Sequence, residues 1–204
     1  MVKADCGGCN GCSRCCHGMG NSIILDPYDV YRMTTGMGKS MQELLAASVE
    51  LNVVDGVILP NLKMQGAEEA CAYLDGEGRC SIHPYRPGIC RLFPLGRYYE
   101  NGGFSYFLQT GECAKENRSK IKVSKWIDTP DLTRNQQFTL QWHDLLHAME
   151  ERLTGEDEGK QREENLLLLR LFYLLPYEGT IDFYTQFTER MEHWNGQNLS
   201  LIHI

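Results

Sequence analysis

Five cysteines within eleven residues constrain this chain more than any other feature of its sequence. Cys6, Cys9, Cys12 and Cys15 recur at every third position among glycines, and Cys16 follows directly. Two intervening residues let a tight turn direct both thiolates at one metal centre, and three thiolates at this spacing suit the corners of a cubane iron–sulfur cluster. Zinc sites use the same spacing, usually as two separated pairs. The segment therefore predicts an irregular loop that wraps a metal centre.

Adjacent side chains point apart in extended backbone, so Cys15 and Cys16 do not easily bind the same ion. Cys16 is therefore a candidate ligand for a second centre or for another face of the first. Ordinary buried cysteines are the alternative interpretation, since a free cysteine packs like a small hydrophobe. That alternative suits one isolated cysteine better than a glycine-rich run of five.

A second set of cysteines lies downstream, at Cys71, Cys80, Cys90 and Cys113. Cys71 and Cys80 flank a predicted turn at Asp75-Gly76-Glu77-Gly78. Pairing of the strands on either side of this turn would bring the two thiols near each other.

Positive charge accompanies Cys90. Four cysteinates around zinc or an oxidised four-iron cluster leave about two net negative charges. Arg86 and Arg91 are placed to offset that charge, so we predict that they bind the cofactor. His83, which follows Cys80 closely, is a further candidate ligand, with packing on Pro84 as the alternative.

Composition and charge exclude several other classes of protein. A chain of 204 residues can bury a core without cross-links, and nine cysteines are an odd number, so a disulfide framework is not expected. The first residues carry no apolar stretch of the kind that directs secretion, so we expect a cytoplasmic protein with reduced thiols. The longest apolar run, residues 166–175, is too short to cross a membrane. With a net charge of -7 and no basic stripe, a nucleic-acid partner is not expected either.

Local patterns predict an α+β fold, in which a cysteine-rich irregular metal-binding part with short β-hairpins precedes a helical C-terminal part. Asp26-Pro27 begins one helix, and the capping box from Ser40 to Glu43 begins another over about residues 41–48. Ser22 to Leu25 reads as a short strand. Hairpins are predicted around Asp55-Gly56, around residues 75–78 and around residues 101–103.

The last third of the chain has helical periodicity. Thr129-Pro130 opens a long helix with one apolar stripe, formed by Phe138, Trp142, Leu145, Met149 and Leu153. Residues 155–162 are predicted to form an exposed loop. Residues 163–175 form a strongly apolar helix that Pro176 ends, and residues 181–195 form an amphipathic one.

These patterns divide the chain into a cysteine-cluster metal-binding domain over residues 1–120 and a helical part packed on it over residues 121–198. The last six residues, 199–204, match the translation of a transposon end used in sequencing-library preparation. We therefore exclude them from the prediction of the fold.

In its order of cysteines and in the segment Arg86-Pro87-x2-Cys90-Arg91-x-Phe93-Pro94, the sequence resembles the YkgJ-type cysteine-cluster family. That family is described as a zinc- or iron-chelating domain, and the match covers roughly residues 6–120. The resemblance implies eight metal ligands, namely Cys9, Cys12, Cys15, Cys16, Cys71, Cys80, Cys90 and Cys113. A looser similarity to flagellin lysine-N-methylases, which are associated with a four-iron cluster, favours an iron–sulfur cluster (4Fe-4S) over zinc.

Two functions follow as hypotheses. The first is a protein whose cysteine-ligated iron–sulfur cluster has a redox or modification role, and a methylase-like enzyme is one version of it. The alternative is a non-enzymatic, zinc-stabilised binding module whose helical part binds a protein partner.

Overall fold

The computed structural model describes residues 1–5, 7, 12–113 and 117–201, with side chains described up to residue 196. It confirms the predicted α+β class, because short antiparallel hairpins dominate the first part and helices dominate the last. The strands are β1 (Val2–Asp5), β2 (Val49–Val54), β3 (Val57–Leu62), β4 (Met64–Gln65), β5 (Ala70–Cys71), β6 (Leu95–Glu100), β7 (Gly103–Leu108) and β8 (Ser119–Ile121).

The described α-helices begin after residue 26, and the last three are the longest of them. They are α1 (Pro27–Met37), α2 (Met41–Ala47), α3 (Gly88–Leu92), α4 (Val123–Ile127), α5 (Leu132–Leu153), α6 (Glu158–Leu169) and α7 (Phe183–Leu201). Two 3-10 turns, Arg14–Cys16 and His83–Tyr85, and a π-helical turn, Arg170–Leu174, complete the regular structure. Among the residues that the structure describes, no helix is long and apolar enough to cross a lipid bilayer.

Side-chain caps begin α1 and α2 where the sequence predicts. Asp26 accepts a hydrogen bond from the backbone N–H of Asp29 at 2.8 Å, and the Asp29 carboxylate accepts one from the N–H of Asp26 in return. Ser40 and Glu43 form the same reciprocal pair at the start of α2. Both predicted helix starts are confirmed, because each cap is encoded within four consecutive residues.

Each described strand pairs with one antiparallel partner, in the pairs β1–β8, β2–β3, β4–β5 and β6–β7. The turns Asp55-Gly56 and Asn101-Gly102 have positive φ at both central residues, as a tight type I′ hairpin turn requires. These two predicted hairpins are therefore confirmed.

The predicted hairpin around residues 75–78 is confirmed only next to its turn. Its two arms pair through one antiparallel bridge between Leu74 and Cys80, while Cys71 pairs with Met64 in the β4–β5 ladder. The Asp75 carboxylate accepts hydrogen bonds from two backbone N–H groups of the turn, which closes a compact loop in place of a ladder.

Of the predicted strand Ser22–Leu25, the structure shows only one antiparallel bridge, between Ile24 and Asn61 of β3. The Leu25 N–H still donates to the Pro60 carbonyl at 2.8 Å. The strand cannot extend further because Asp26-Pro27 begins α1 immediately afterwards.

The main hydrophobic core draws on both the cysteine-bearing part and the helical part. Leu25, Met33 and Leu62 from the first part are as fully buried as Phe138 and Phe172 from the second. The predicted apolar stripe of α5 is confirmed, since all five of its residues are buried.

The start of α6 differs from the prediction. Asp157 caps the helix by accepting hydrogen bonds from the N–H groups of Gly159 and Lys160, so helix replaces most of the predicted loop 155–162. Gly155, with φ of 83°, makes the turn between α5 and α6. The polar composition that suggested a loop belongs instead to the exposed first turns of α6.

Asn165 in α6 joins the helices to the β2–β3 hairpin. Its side-chain oxygen accepts a hydrogen bond from the Ile58 N–H at 2.6 Å, and its amide donates to the Gly56 carbonyl at 3.1 Å. Asn165 is 3% exposed, so water cannot replace these bonds. The backbone groups of Ile58 and Gly56 therefore depend on a residue that is 107 and 109 positions away, respectively.

We predict that Asn165→Ala lowers the free energy of unfolding by about 2–3 kcal/mol, because it leaves a backbone donor and an acceptor unpaired. Urea unfolding followed by circular dichroism would measure the change. Glu163→Ala, at an exposed position of the same helix, is the control and should shift stability by less than about 0.5 kcal/mol. Equal stability of the two variants would contradict the role of Asn165.

Candidate metal centre

Five cysteines line one cavity of about 870 Å³, although they are distant in sequence. They are Cys15, Cys16, Cys71, Cys80 and Cys90. Cys12 and Cys113 are half-buried and do not line this cavity. Cys9, the remaining predicted ligand, lies outside the described residues, as does Cys6.

Backbone hydrogen bonds bring the N-terminal cysteines to Cys71. His17, directly after Cys16, forms an antiparallel bridge with Ala70, which precedes Cys71 in β5. The Gly18 N–H donates to the Glu69 carbonyl at 3.0 Å and extends the contact. The 3-10 turn carrying Cys15 and Cys16 is thus fastened beside β5.

Another set of hydrogen bonds places Cys80. The Leu74–Cys80 bridge closes the loop, and both the N–H and the hydroxyl of Ser81 donate to the Tyr73 carbonyl. The Tyr73 hydroxyl lies 2.6 Å from the Ser48 hydroxyl at the end of α2. The loop is therefore anchored to the end of α2 on one side and presents Cys80 to the cavity on the other.

Cys90 reaches the cavity from α3. Pro87 stands immediately before this short helix, and the chain leaves it through Phe93 and Pro94. The indole N–H of Trp126 in α4 donates to the Leu92 and Phe93 carbonyls, each at 3.2 Å. This contact fixes the end of the segment that carries Cys90.

Apolar side chains form much of the remaining cavity wall, and a few charged groups stand among them. The apolar residues are Met19, Ile23, Leu62, Ile82, Ile89, Phe93 and Leu95. Arg14 and Arg86 supply positive charge, and Glu68 and Glu112 supply negative charge. The thiols therefore face a cavity with a mainly apolar wall, where charges interact more strongly than in bulk water.

Cys15 and Cys16 form an unequal pair. A hydrogen bond from the Cys16 thiol is the largest effect that lowers the pKa of Cys15, to about 6, against the opposing effect of burial. The same hydrogen bond, together with burial and the charges of neighbouring cysteines, raises the pKa of Cys16. Metal-free protein at neutral pH is thus expected to carry a thiolate at Cys15 and a thiol at Cys16.

The other three thiols are held in their neutral form. Burial is the main cause that raises the pKa of Cys71, Cys80 and Cys90. For each of them, negative charge on other cysteines of the cavity adds to the effect of burial. The five sulfur atoms therefore cannot all ionise together unless a cation compensates their charge.

The two predicted cofactor-binding arginines occupy different places. Arg86 lines the cavity, and its positive charge favours the thiolate forms of Cys15 and Cys80. Arg91 is 4% exposed and does not line the cavity; its guanidinium carbon lies 5.8 Å from the centre of the Tyr28 ring. His83 is exposed and also lies away from the cavity lining.

Asp29 is a buried residue near the cavity that the sequence analysis did not single out. Its negative charge contributes, after burial, to the raised pKa of Cys90. The sequence shows Asp29 only as part of the helix cap. Its contact with the α3 segment depends on a partner 59 residues away, which no local pattern indicates.

The donor chemistry of the cavity fits zinc or an iron–sulfur cluster. Thiolates are soft ligands that select these centres over magnesium or calcium. A bound metal deprotonates its thiol ligands and supplies the cation that the five sulfurs lack. Within the described ranges, no three Cys, His, Asp or Glu side chains are gathered tightly enough to hold a single ion.

These features define a protein whose cysteines are grouped to chelate a metal. A family model described as "CxxCxxCC: Putative zinc- or iron-chelating domain" matches residues 8–123, more than half of the chain. The chain belongs to this family, which confirms the resemblance stated from the cysteine order. Neither the curated proteins nor the solved structures provide a match to this chain, so the similarity to lysine-N-methylases stays a prediction.

The Cys15–Cys16 hydrogen bond gives a pH prediction for metal-free, reduced protein. The rate of Cys15 alkylation by iodoacetamide should rise through a midpoint near pH 6, because the thiolate is the reactive form. Cys16→Ala removes the main stabilising donor and should move the midpoint up toward the ordinary value of 9.0. Peptide mass spectrometry across pH measures both.

Cys90 serves as the internal control in that experiment. Burial raises its pKa, so it should remain largely unmodified at pH 7. An unchanged Cys15 midpoint in Cys16→Ala would show that the two thiols are not hydrogen-bonded in solution.

Proposed function

We propose that this protein carries a cysteine-ligated iron–sulfur cluster and has a redox role. The proposed ligands are the eight cysteines of the family pattern, of which five line the described cavity. When bound, such a cluster would supply one-electron transfer, and the residues around it would set its charge and its access to water.

The size of the cavity is the single observation that carries this proposal. Four thiolates contact a zinc ion at about 2.3 Å and leave no free space between the sulfur atoms. Here five thiols stand apart in the wall of a cavity of about 870 Å³, and no three ligand-type side chains of the described residues are close enough to hold one ion. A polynuclear cluster, whose own iron and sulfide atoms separate the cysteines, suits this arrangement better than one ion.

The charge balance supports the same assignment. Four cysteinates on an oxidised four-iron cluster leave about two net negative charges. Arg86 faces the thiols and offsets part of this charge, and the apolar wall limits solvation of the rest. Solvent exposure and nearby charge are among the factors that set the reduction potential of such a cluster.

We predict that protein purified without oxygen contains stoichiometric iron and sulfide, absorbs visible light and bleaches on reduction. Iron and sulfide analysis with anaerobic spectroscopy makes the measurement. Cys12→Ser and Cys90→Ser should lose the cluster. Cys6→Ser should keep it, because Cys6 stands outside the family pattern.

A colourless protein with stoichiometric zinc, which unfolds when the zinc is chelated, would contradict the cluster. It would favour the zinc-stabilised binding module instead. Full metal content in Cys90→Ser would remove the α3 segment from the site.

We also predict that Arg86→Gln weakens metal binding roughly tenfold, because it removes the cation that faces Cys15 and Cys80. Competition with a chromophoric chelator measures the affinity. Arg79→Gln makes the same change of charge at a side chain that is 61% exposed and lies outside the cavity lining. Equal losses in the two variants would indicate only an effect of net charge.

A further inference from the structure

The carboxylate of Asp29 holds the beginning of the helix that carries Cys90. Its Oδ1 atom accepts a hydrogen bond from the backbone N–H of Gly88 at 2.7 Å, across 59 residues of sequence. Gly88 is the first residue of α3, and Cys90 follows two positions later. Asp29 is 2% exposed, so this bond is shielded from water.

The α3 helix has little other means of fixing its start. It is five residues long, and Pro87 at its N-cap provides no side-chain hydrogen bond. The first N–H groups of a helix have no partner within it, and a short polar side chain usually accepts from one of them. Asp29 supplies that acceptor from another element.

Asp29 is itself held rigidly. Its backbone N–H donates to Asp26 at 2.8 Å, and its second carboxylate oxygen accepts from the Asp26 N–H at 3.3 Å. The neighbouring α1 residues Pro27, Tyr28 and Val30 are buried in the core. The hydrogen bond from Gly88 to Asp29 therefore fixes the start of α3 relative to the first turn of α1.

Charge complementarity accompanies this contact. A Cβ placed on Gly88 would lie 3.5 Å from Asp29 Oδ1 and 3.8 Å from Arg91 Nη2, so both charged groups border the first turn of α3. The charge of Arg91 partly offsets the burial that raises the pKa of Asp29. The charge of the arginine after Cys90 thus favours the carboxylate form of Asp29, which accepts the bond from Gly88.

We propose that Asp29 is a positioning residue for the metal centre, which sets the direction of the Cys90 thiol through the Gly88 N–H. This inference rests on the proposed metal centre. Because groups that orient metal ligands commonly change affinity by about 10–100-fold, the contact should be measurable in metal binding.

The first experiment compares Gly88→Pro with Gly88→Ala. Proline removes the N–H but suits the first helical position, and the preceding Pro87 has a ψ of 153° that tolerates it. Alanine keeps the N–H and meets Asp29 at an ordinary contact distance. Zinc and cobalt(II) affinities from chelator competition should be roughly tenfold or more weaker in Gly88→Pro than in Gly88→Ala.

The second experiment compares Asp29→Ala with Asp29→Asn, which keeps an oxygen acceptor for Gly88. The cobalt(II) thiolate charge-transfer band should fall in Asp29→Ala toward that of Cys90→Ser and be largely restored in Asp29→Asn. A purely structural loss would instead appear as lowered stability with an unchanged spectrum per bound metal.

Equal affinities and equal cobalt spectra across both pairs would overturn the role of Asp29. If Gly88→Pro does not fold by circular dichroism, the Asp29 pair decides, and wild-type affinity in Asp29→Ala overturns the inference. Failure of the wild-type protein to bind iron, zinc or cobalt would overturn the proposed function itself, and that outcome is visible before any variant is made.

Discussion

The cost of ionising several half-buried thiols around one cavity governs the chemistry of this protein. Burial and the negative charge of their neighbours keep Cys71, Cys80 and Cys90 neutral, and the hydrogen bond to Cys15, together with burial, keeps Cys16 neutral. A metal reverses this balance, because it deprotonates its ligands and compensates their charge together. Metal binding is therefore coupled to the release of protons and to the stability of the segments that bring the thiols together.

Those segments contribute little regular structure, so the helices must hold them in place. The Tyr173 hydroxyl, fully buried in the π-helical turn, donates to the Leu25 carbonyl at 3.0 Å, 148 residues away. Asn165 secures the β2–β3 hairpin in the same way. Because these long-range bonds lie in one core with the apolar side chains, the fold can keep an irregular cysteine-rich region in a defined arrangement.

The two arginines near Cys90, Arg86 and Arg91, belong to one sequence motif but have different roles. Arg86 faces the thiols and acts on their charge directly. Arg91 does not line the cavity; its guanidinium lies over the Tyr28 ring, and its charge acts on the buried Asp29. In this interpretation, the Arg-Pro-x2-Cys-Arg segment contributes one cation to the centre and one that favours the charged form of Asp29, which holds the short helix that presents Cys90.

Local signals in the sequence alone determined several of the helices and hairpin turns of this protein. The caps of α1 and α2, the Asp55-Gly56 and Asn101-Gly102 turns and the stripe of α5 each depend on residues close in the chain, and each prediction is confirmed. The order of cysteines likewise sufficed to indicate the family. Tertiary structure alone decided which thiols share a cavity and which residues Arg91 packs against. Those outcomes depend on hydrogen bonds and burial between residues far apart in sequence, and no local pattern encodes them.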